Sequence, residues 1–293
     1  MSKNPQDISF AFFGGEPLAI PSLEALKTKG LLPKLVVTNP DRPSGRSQEL
    51  TPPPTKVWAT EHNIPVIQPE SFKNKVELAA LLEREWDVFL VTAFSAILPK
   101  WLIELPKHGT LNLHPSLLPK LRGASPIRSA ILEDMRETGI TIMHMDEKMD
   151  HGPIVAQETI EIPETNWPMR ATELNTLLAE KGGNLLAETV IDWVNGVIQE
   201  HEQDHAAATF SKKFTKEDGE INLSDDAYKN LLKIRALEGS PGTYFFTDTP
   251  KGTLRVKIVD AKLSPDGSLN ILRVIPEGKK EMSFEEFTKN ISR

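Results

Sequence analysis

Short apolar runs alternate with amphipathic stretches along the first half of the chain. The runs that read as buried strands are "ISFAFFG", "LPKLVVTN", "IPVIQP", "DVFLVTAF" and "GTLNLHP". Between them, "PLAIPSLEALKTKG" and "KNKVELAALLEREW" carry apolar residues at helical spacing. Strands that are apolar throughout and separated by helices are typical of parallel sheets covered on both faces. We therefore expect an α/β fold with a Rossmann-like, mostly parallel sheet and helices on both faces.

The second half of the chain changes character at "QEHEQDHAAATFSKKF", a polar stretch without periodicity. Before it, "GITIMHMD" and "GPIVAQETIEIP" predict two more strands, and a long helix follows in which Gly182 and Gly183 are expected to loosen the middle. After it, we predict a helix in "DDAYKNLLKIRAL" capped by Ser224, and a short last helix that starts at the capping box "SFEEF". Between these helices lie the β-like runs "GTYFFTD", "GTLRVKIVDAKLS" and "GSLNILRVI". We therefore predict a first domain at residues 1–200, a linker at 201–209 and a small β-barrel domain at 210–293.

Composition and charge narrow the class of protein. A length of 293 residues favours two domains, and the absence of cysteine excludes a disulfide framework and a cysteine-based metal site. No apolar run approaches the roughly 18 residues that a membrane helix needs. Because "MSKNPQDISFAFFGG" also lacks the pattern of a signal peptide, we expect a cytoplasmic protein without a membrane segment. The formal net charge of −7 gives no overall support for binding a polyanion, although a local basic patch would be sufficient.

The sequence contains one short match to a metal-binding motif and no nucleotide-binding motif. The segment "HEQDH" at 201–205 matches the zinc-binding pattern H-E-x-x-H. That chemistry needs both histidines on one face of a packed helix and a third ligand, whereas the flanking residues offer little apolar surface to bury. We interpret the match as coincidence and expect no metal. The chain has neither G-x-G-x-x-G nor G-x-x-x-x-G-K-S/T, so a nicotinamide cofactor and a nucleoside triphosphate are not expected.

Polar side chains stand at the ends of two predicted strands. Asn112 and His114 lie two residues apart in "GTLNLHP" and so point to the same side, while Asp150 lies in the turn "MDHG". Each alone is explained as a strand-end or turn residue. Together they suit an acyl-type transfer, because an amide and an imidazole stabilise an oxyanion while a carboxylate orients the imidazole or takes up a proton. No Ser or Cys stands in a nucleophile-elbow context, which favours direct attack by a substrate amine.

Four segments carry a resemblance to a known family. "LNLHPSLLPKLRGASPI", "GITIMHMDEKMDHGPIV", "VTNPDRPSGR" and "VTAFSAILP" resemble the methionyl-tRNA formyltransferases, members of the larger family that uses 10-formyltetrahydrofolate. The C-terminal part is similar to their OB-like β-barrel domain, so the resemblance covers nearly the whole chain. It implies transfer of a formyl group from 10-formyltetrahydrofolate to the α-amine of initiator methionyl-tRNA. The catalytic residues would be Asn112, His114 and Asp150, and no metal would take part.

The resemblance also implies binding residues. The folate co-substrate is expected against Phe94, Ser95, Ala96, Ile97, Leu98, Ser116, Leu117, Leu118 and Pro119. The initiator tRNA is expected against Arg42, Arg46, Lys212 and Lys213, with Lys216, Lys229 and Lys233 as further candidates. The chain departs from the family at Pro115, where a small residue is usual, and at "SQEL" after Arg46, where lysines are common. We expect a monomer.

Other functions remain open from the residues alone. A sugar-nucleotide N-formyltransferase would use the same trio but would not need the loop around Arg42 or this C-terminal domain. A hydrolase relative would pass the formyl group to water. A folate- or RNA-binding module that has lost catalysis is less consistent with a complete trio.

Overall fold

The computed structural model describes residues 2–44, 49–250 and 252–291. Its strands are β1 (Phe10–Phe13), β2 (Leu35–Val37), β3 (Arg42–Ser44), β4 (Glu49–Thr51), β5 (Val66–Ile67), β6 (Val88–Thr92), β7 (Thr110–His114), β8 (Arg122–Gly123), β9 (Glu137–His144), β10 (Ile154–Glu161), β11 (Phe210–Ser211), β12 (Thr243–Thr249), β13 (Gly252–Leu263), β14 (Leu269–Pro276) and β15 (Met282–Ser283). Its α-helices are α1 (Ile20–Thr28), α2 (Pro54–Glu61), α3 (Ala79–Leu82), α4 (Lys100–Ile103), α5 (Pro126–Leu132), α6 (Ala171–Val194), α7 (Ala227–Ala236) and α8 (Phe284–Ile291). None of the helices in the described ranges is long and apolar enough to cross a membrane.

The chain forms two compact units. The first contains residues 1–122, 139–160 and 176–209, and the second contains 123–138, 161–175 and 210–293. These units describe compactness and not independent folding. The predicted domain boundary at 201–209 therefore stays a prediction.

The first unit is built on a seven-stranded sheet in the order β10-β9-β7-β6-β1-β2-β5. β1 pairs in parallel with β2 and β6, and β6 pairs in parallel with β7. β9 runs antiparallel to β7, in the register Leu113 to Ile142 and His114 to Thr141. The expected mostly parallel sheet is confirmed, with an antiparallel pairing beside the strand that carries Asn112 and His114.

Both faces of this sheet are covered by apolar side chains. In β1, Phe10 and Phe12 enter one core, together with residues of α1, α2 and α6. Ala11 and Phe13 enter the other core, which includes Leu81 of α3. This alternation follows from the pleat of a strand, in which neighbouring side chains point to opposite faces. Burial on both faces explains why the strands read as continuous apolar runs.

Two expectations about helices in the first unit are wrong. α6 passes through Gly182 and Gly183 without a break, so these residues do not loosen it. A Cβ at Gly182 would lie 2.8 Å from a methyl group of Leu113, and one at Gly183 would lie 2.8 Å from the carbonyl oxygen of Pro21. The glycines thus allow the helix to pack closely against β7 and α1. In the periodic stretch after Lys73, the predicted helix forms only as the short α3. Before α3, the N–H groups of Leu78 and Ala79 bond to carbonyls three residues back rather than four, so that part of the stretch forms turns.

The second unit contains a separate antiparallel sheet in the order β12-β13-β14-β15. Its core joins Leu231 and Ile234 of α7 and Phe287 of α8 to the inward side chains of the strands. The described pairings leave β12 and β15 at the two edges of this sheet.

The two caps predicted in the second unit had different outcomes. The cap of α7 is Asp226, which accepts a hydrogen bond from the backbone N–H of Lys229, and not Ser224. Asp226 is the residue directly before the first helical turn, so its side chain reaches an N–H that Ser224 does not. The predicted start of α8 is confirmed, because the Ser283 hydroxyl accepts from the N–H of Glu286 at 3.1 Å.

Candidate active site

β7 carries Asn112 and His114 onto one side of the sheet. Leu111 and Leu113, which alternate with them, point into the core on the opposite face. Asn112 stands beside Val91 of β6 in the parallel register. Its carboxamide is partly exposed and has no hydrogen-bond partner among the described residues. The amide N–H groups are therefore available to a ligand.

The imidazole of His114 is buried, and its two nitrogens face different groups. Nε2 lies 3.1 Å from the carbonyl oxygen of Leu121, and Nδ1 lies 3.6 Å from the carboxylate Oδ1 of Asp150. A carbonyl oxygen only accepts, so Nε2 carries a proton. One further proton can then lie between Nδ1 and Oδ1, on either atom. The separation is slightly longer than a direct hydrogen bond, as is common in catalytic pairs before substrate binds.

Asp150 is held in an uncommon backbone conformation. Its φ of +49° lies in the left-handed region, which costs free energy in a non-glycine residue. At Gly152 an added Cβ would lie 1.9 Å from the carbonyl oxygen of His144, so only glycine fits. Asp146 closes the same turn, because its carboxylate accepts from the N–H of Lys148 at 2.8 Å and lies 2.6 Å from Nδ1 of His151. The D-x-G spacing thus reflects a tight turn that presents the Asp150 carboxylate to His114.

The predicted folate segment after β6 combines buried and exposed positions. Ala93 has a φ of +49°, and the ring of Phe94 packs between Phe13 and Phe72. Ser95, Ala96 and Ile97 are exposed, with Ile97 at 86% of its full surface, whereas Leu98 is buried. A cavity of about 500 Å³ lies next to this segment, and Ala96, Ile97, Lys73 and Lys75 contribute to its lining.

The second predicted folate segment, Ser116 to Pro119, is fixed by hydrogen bonds. The Ser116 hydroxyl donates to the carbonyl of Lys120 at 2.6 Å, and the bond from Leu118 to Pro119 is cis. Ser116 and Leu118 are buried, whereas Leu117 and Pro119 are partly exposed.

Two residues that sequence reasoning missed hold this second segment. The buried Thr141 hydroxyl donates to the carbonyl of Ser116 at 2.7 Å and lies 3.2 Å from the N–H of Leu118. The Gln157 amide donates to the carbonyl of Leu118 at 3.0 Å and to the Thr141 hydroxyl at 2.8 Å. Thr141 is buried on β9 whereas Gln157 is exposed on β10, and strand periodicity does not reveal the partners of either residue.

The predicted tRNA contacts lie in both units. In the first unit, Arg42 is exposed on β3 and pairs with Glu70 at 3.5 Å, while Arg46 lies outside the described residues. In the second unit, Lys213 is exposed, and Lys212 pairs with Asp218 at 2.5 Å. The hydrogen bond from Lys212 is the largest cause that lowers the pKa of Asp218 to about 2.

The further lysine candidates lie in the second unit. Lys216 and Lys229 are exposed, and the Lys233 ammonium donates to the carbonyl of Glu220 at 2.6 Å. Within the described residues, no group of three or more His, Cys, Asp or Glu side chains is arranged to hold a metal ion.

Comparisons with known proteins show the family and the fold of the chain. The family model described as "Formyl transferase" matches residues 8–190. A methionyl-tRNA formyltransferase of Halalkalibacterium halodurans is 37% identical, over 96% of this chain and 94% of that protein. Among solved structures, the methionyl-tRNA formyltransferase of Clostridium thermocellum has a TM-score of 0.60 at 15% identity and covers 94% of this chain and 99% of its own. An N-formyltransferase of Helicobacter canadensis, solved with folinic acid and dTDP-3-aminofucose, has a TM-score of 0.65 at 20% identity, with 88% of each chain covered.

Proposed function

The chain belongs to the formyl transferase family, and from this premise we propose that it transfers a formyl group from 10-formyltetrahydrofolate to the α-amine of initiator methionyl-tRNA. The observation that carries the proposal is the approach of His114 to Asp150 at 3.6 Å, on the same side of the sheet as Asn112. A relative that is 37% identical over nearly its whole length bears the name of this activity.

The reaction needs a nucleophile, an oxyanion site and a proton carrier. The neutral α-amine of the methionyl ester attacks the formyl carbon directly and forms a tetrahedral oxyanion. An α-amine has a pKa near 7.7–8.0, so an appreciable neutral fraction is present near pH 7. The bond from carbon to N10 of the folate then breaks, N10 takes up a proton, and the attacking nitrogen loses one.

Each residue of the trio has one role in this scheme. The Asn112 amide donates to the oxyanion, where preorganised donors stabilise charge most strongly. Nε2–H of His114 is already used by the carbonyl of Leu121, so the ring donates to the oxyanion through a protonated Nδ1, which at 3.6 Å from Asp150 makes no direct hydrogen bond to that carboxylate. Asp150 accepts or returns the proton that the attacking amine loses, through the site between its Oδ1 and the Nδ1 of His114. The two atoms lie 3.6 Å apart, so a small movement of either side chain brings them within hydrogen-bond reach for this transfer.

The folate co-substrate is proposed to bind beside the two segments at 94–98 and 116–119. The apolar surface of Ile97 is available for an aromatic ring, since 86% of it is exposed. The neighbouring cavity of about 500 Å³ includes Lys73 and Lys75, whose charge suits the carboxylates of a folate tail. The backbone of the second segment, held by Thr141 and Gln157, would supply a rigid contact for the folate.

The RNA is proposed to bind through distributed cations, including Arg42, Arg46, Lys212 and Lys213. Contacts of this kind to phosphate release counterions, so the affinity should fall as salt rises. We further infer that the protein acts in the cytoplasm, where translation begins. A monomer remains our prediction, which light scattering would test.

The proposal is tested by incubating the protein with 10-formyltetrahydrofolate and one of three acceptors: methionyl initiator tRNA, an amino sugar nucleotide, or water. The expected product is N-formylmethionyl-tRNA, at a rate far above formylation of the sugar nucleotide and release of formate. A faster reaction with the amino sugar nucleotide would instead assign the chain to the sugar-nucleotide branch. Formate release without tRNA formylation would indicate a hydrolase.

A further inference from the structure

The segment "HEQDH" belongs to the first unit, where it begins with an extended residue and ends at a 3-10 turn. His201 and Ile154 exchange two backbone hydrogen bonds, both of 2.8 Å. His205 begins the 3-10 turn, which is capped by Asp204. The two histidines therefore do not share a helix face, which the zinc pattern requires. The residue between them that points inward is Gln203, which is only 5% exposed.

The Gln203 amide holds the turn that presents Asp150. Its Nε2 lies 3.0 Å from the carbonyl oxygen of Asp150 and 2.7 Å from the carbonyl oxygen of Gly152. An amide nitrogen has two N–H groups, so both are used by this turn. Asp150 has its strained φ of +49° at the same place. These hydrogen bonds offset the cost of the left-handed conformation, which persists only where surrounding groups hold it.

The orientation of this amide is set by a buried guanidinium. Nε and Nη2 of Arg122 donate to the Gln203 Oε1 at 3.1 and 2.6 Å, and Arg122 is only 4% exposed. A flipped amide would set its N–H groups against the guanidinium, which has no acceptor. The contact therefore directs Nε2 toward Asp150. Nη2 also lies 2.9 Å from Nδ1 of His205.

Arg122 follows Leu121 directly in the chain, so one short segment contacts both His114 and the residue that holds the Asp150 turn. The carbonyl of Leu121 receives Nε2 of His114, and the guanidinium of the next residue orients Gln203 onto the backbone of Asp150. One short segment thus fixes the imidazole from one side and the carboxylate turn from the other.

We propose that Gln203 is a positioning residue that sets the distance between the Asp150 carboxylate and His114. The inference rests on the proposed function, because it concerns the catalytic pair of that reaction. Gln203 touches neither the carboxylate nor the imidazole in the contacts described above, so it acts through the backbone of Asp150. Misplacement of a catalytic group by about 1 Å can cost about 100-fold in rate.

The test uses two variants of the full chain. Gln203→Ala removes the acceptor and both donors. Gln203→Glu is nearly isosteric and keeps an acceptor for Arg122, but it has no N–H and sets an oxygen against the carbonyls of Asp150 and Gly152. Both are expected to lower kcat by about 10- to 100-fold, with the KM for methionyl-tRNA within about threefold of wild type. If Gln203→Ala does not fold, Gln203→Glu decides the matter by itself.

A double-variant cycle separates positioning from simple support of the fold. If Gln203 acts through Asp150, then Gln203→Ala should add less than about a threefold loss of kcat in an Asp150→Ala background. Independent, multiplying losses would overturn the proposal. So would a folded Gln203→Glu enzyme with a wild-type kcat.

Asn195→Ala is the matched control. The Asn195 carboxamide also ties two backbone groups, accepting from the N–H of Lys3 at 2.7 Å and donating to its carbonyl at 3.2 Å. This variant should lose thermal stability without a change in kcat. A wild-type enzyme that makes no N-formylmethionyl-tRNA would refute the proposed function itself, whereas active wild type with unaffected Gln203 variants would refute only the positioning role.

Discussion

Nδ1 of His114 lies 3.6 Å from Oδ1 of Asp150, while Nε2 of the same ring lies 3.1 Å from the carbonyl of Leu121. The carbonyl requires a proton on Nε2, so the imidazole can approach the carboxylate with only one further proton between them. The two side chains therefore face each other across one short gap, and in the proposed reaction they act as a unit.

This pairing predicts that the losses of kcat caused by substituting His114 and Asp150 do not multiply in the double variant. Each of His114→Ala and Asp150→Ala should lower kcat by about 10²-fold or more, since general acid–base catalysis contributes 10²–10⁴-fold. The double variant should be no worse than the slower single variant, because residues that act as a unit are non-additive. Steady-state kinetics on the three variants makes the comparison. A double variant whose loss equals the product of the single losses would show that the residues act separately.

The close packing of α6 predicts opposite outcomes for two neighbouring glycines. Gly183→Ala should destabilise the protein by about 1–3 kcal/mol, because its Cβ would meet the rigid carbonyl of Pro21 at 2.8 Å. Gly182→Ala should stay within about 1 kcal/mol of wild type, because its Cβ would meet the end of the flexible Leu113 side chain, and alanine favours a helix by about 1 kcal/mol. Urea unfolding of both variants measures the difference. Equal stabilities would contradict the packing explanation.

The ion pair between Lys212 and Asp218 predicts a gain in RNA affinity when the carboxylate is removed. In Asp218→Asn, the lysine no longer has its 2.5 Å partner, so it is available to a phosphate. The slope of log affinity against log salt should steepen by about 1, with tighter binding at low salt. Filter binding across a salt series measures both quantities.

Asp266→Asn is the control for this effect, because it changes the net charge equally while the Asp266 carboxylate bonds Ser268 rather than a lysine. The pKa of Asp218, lowered to about 2 chiefly by the Lys212 hydrogen bond, keeps the pair charged throughout the assay range. The same slope in both variants would remove Lys212 from the RNA contacts.

His108 predicts a loss of stability in mild acid. Burial is the largest cause that lowers the pKa of this imidazole below the ordinary 6.5, followed by repulsion from Lys107. The unfolded chain therefore binds a proton more readily than the folded chain, so stability is complete above pH 6.5 and falls as the pH drops through the lowered value. His108→Gln should reduce the difference in Tm between pH 7.5 and pH 5.5. An unchanged difference would mean that other groups control this pH range.

The sequence predicted those parts of the fold and site that depend on local pattern. The parallel strands follow from apolar runs, and Asn112 and His114 follow from alternation at the end of one such run. The Asp150 turn could be predicted because its geometry requires glycine two residues later, where a Cβ would lie 1.9 Å from the carbonyl of His144.

Contacts between distant residues could not be predicted in this way. Thr141 and Gln157 hold the Ser116 segment from two other strands, and Gln203 lies in a polar stretch whose pattern suggested only a linker. Gly182 lowers helix propensity locally, but its close packing against Leu113 depends on which strand the helix crosses. These features arise from tertiary packing, which periodicity does not report.

The most direct test of the proposed chemistry is the single-turnover rate of formyl transfer to methionyl initiator tRNA by the Asn112→Ala enzyme. The Asn112 amide is partly exposed and has no partner among the described side chains, so its loss should leave folding intact, as judged by circular dichroism and Tm. Removal of one oxyanion donor should slow the reaction by about 10²–10³-fold. A folded Asn112→Ala enzyme that transfers the formyl group at the wild-type rate would contradict the assignment of this residue and of the oxyanion site built around it.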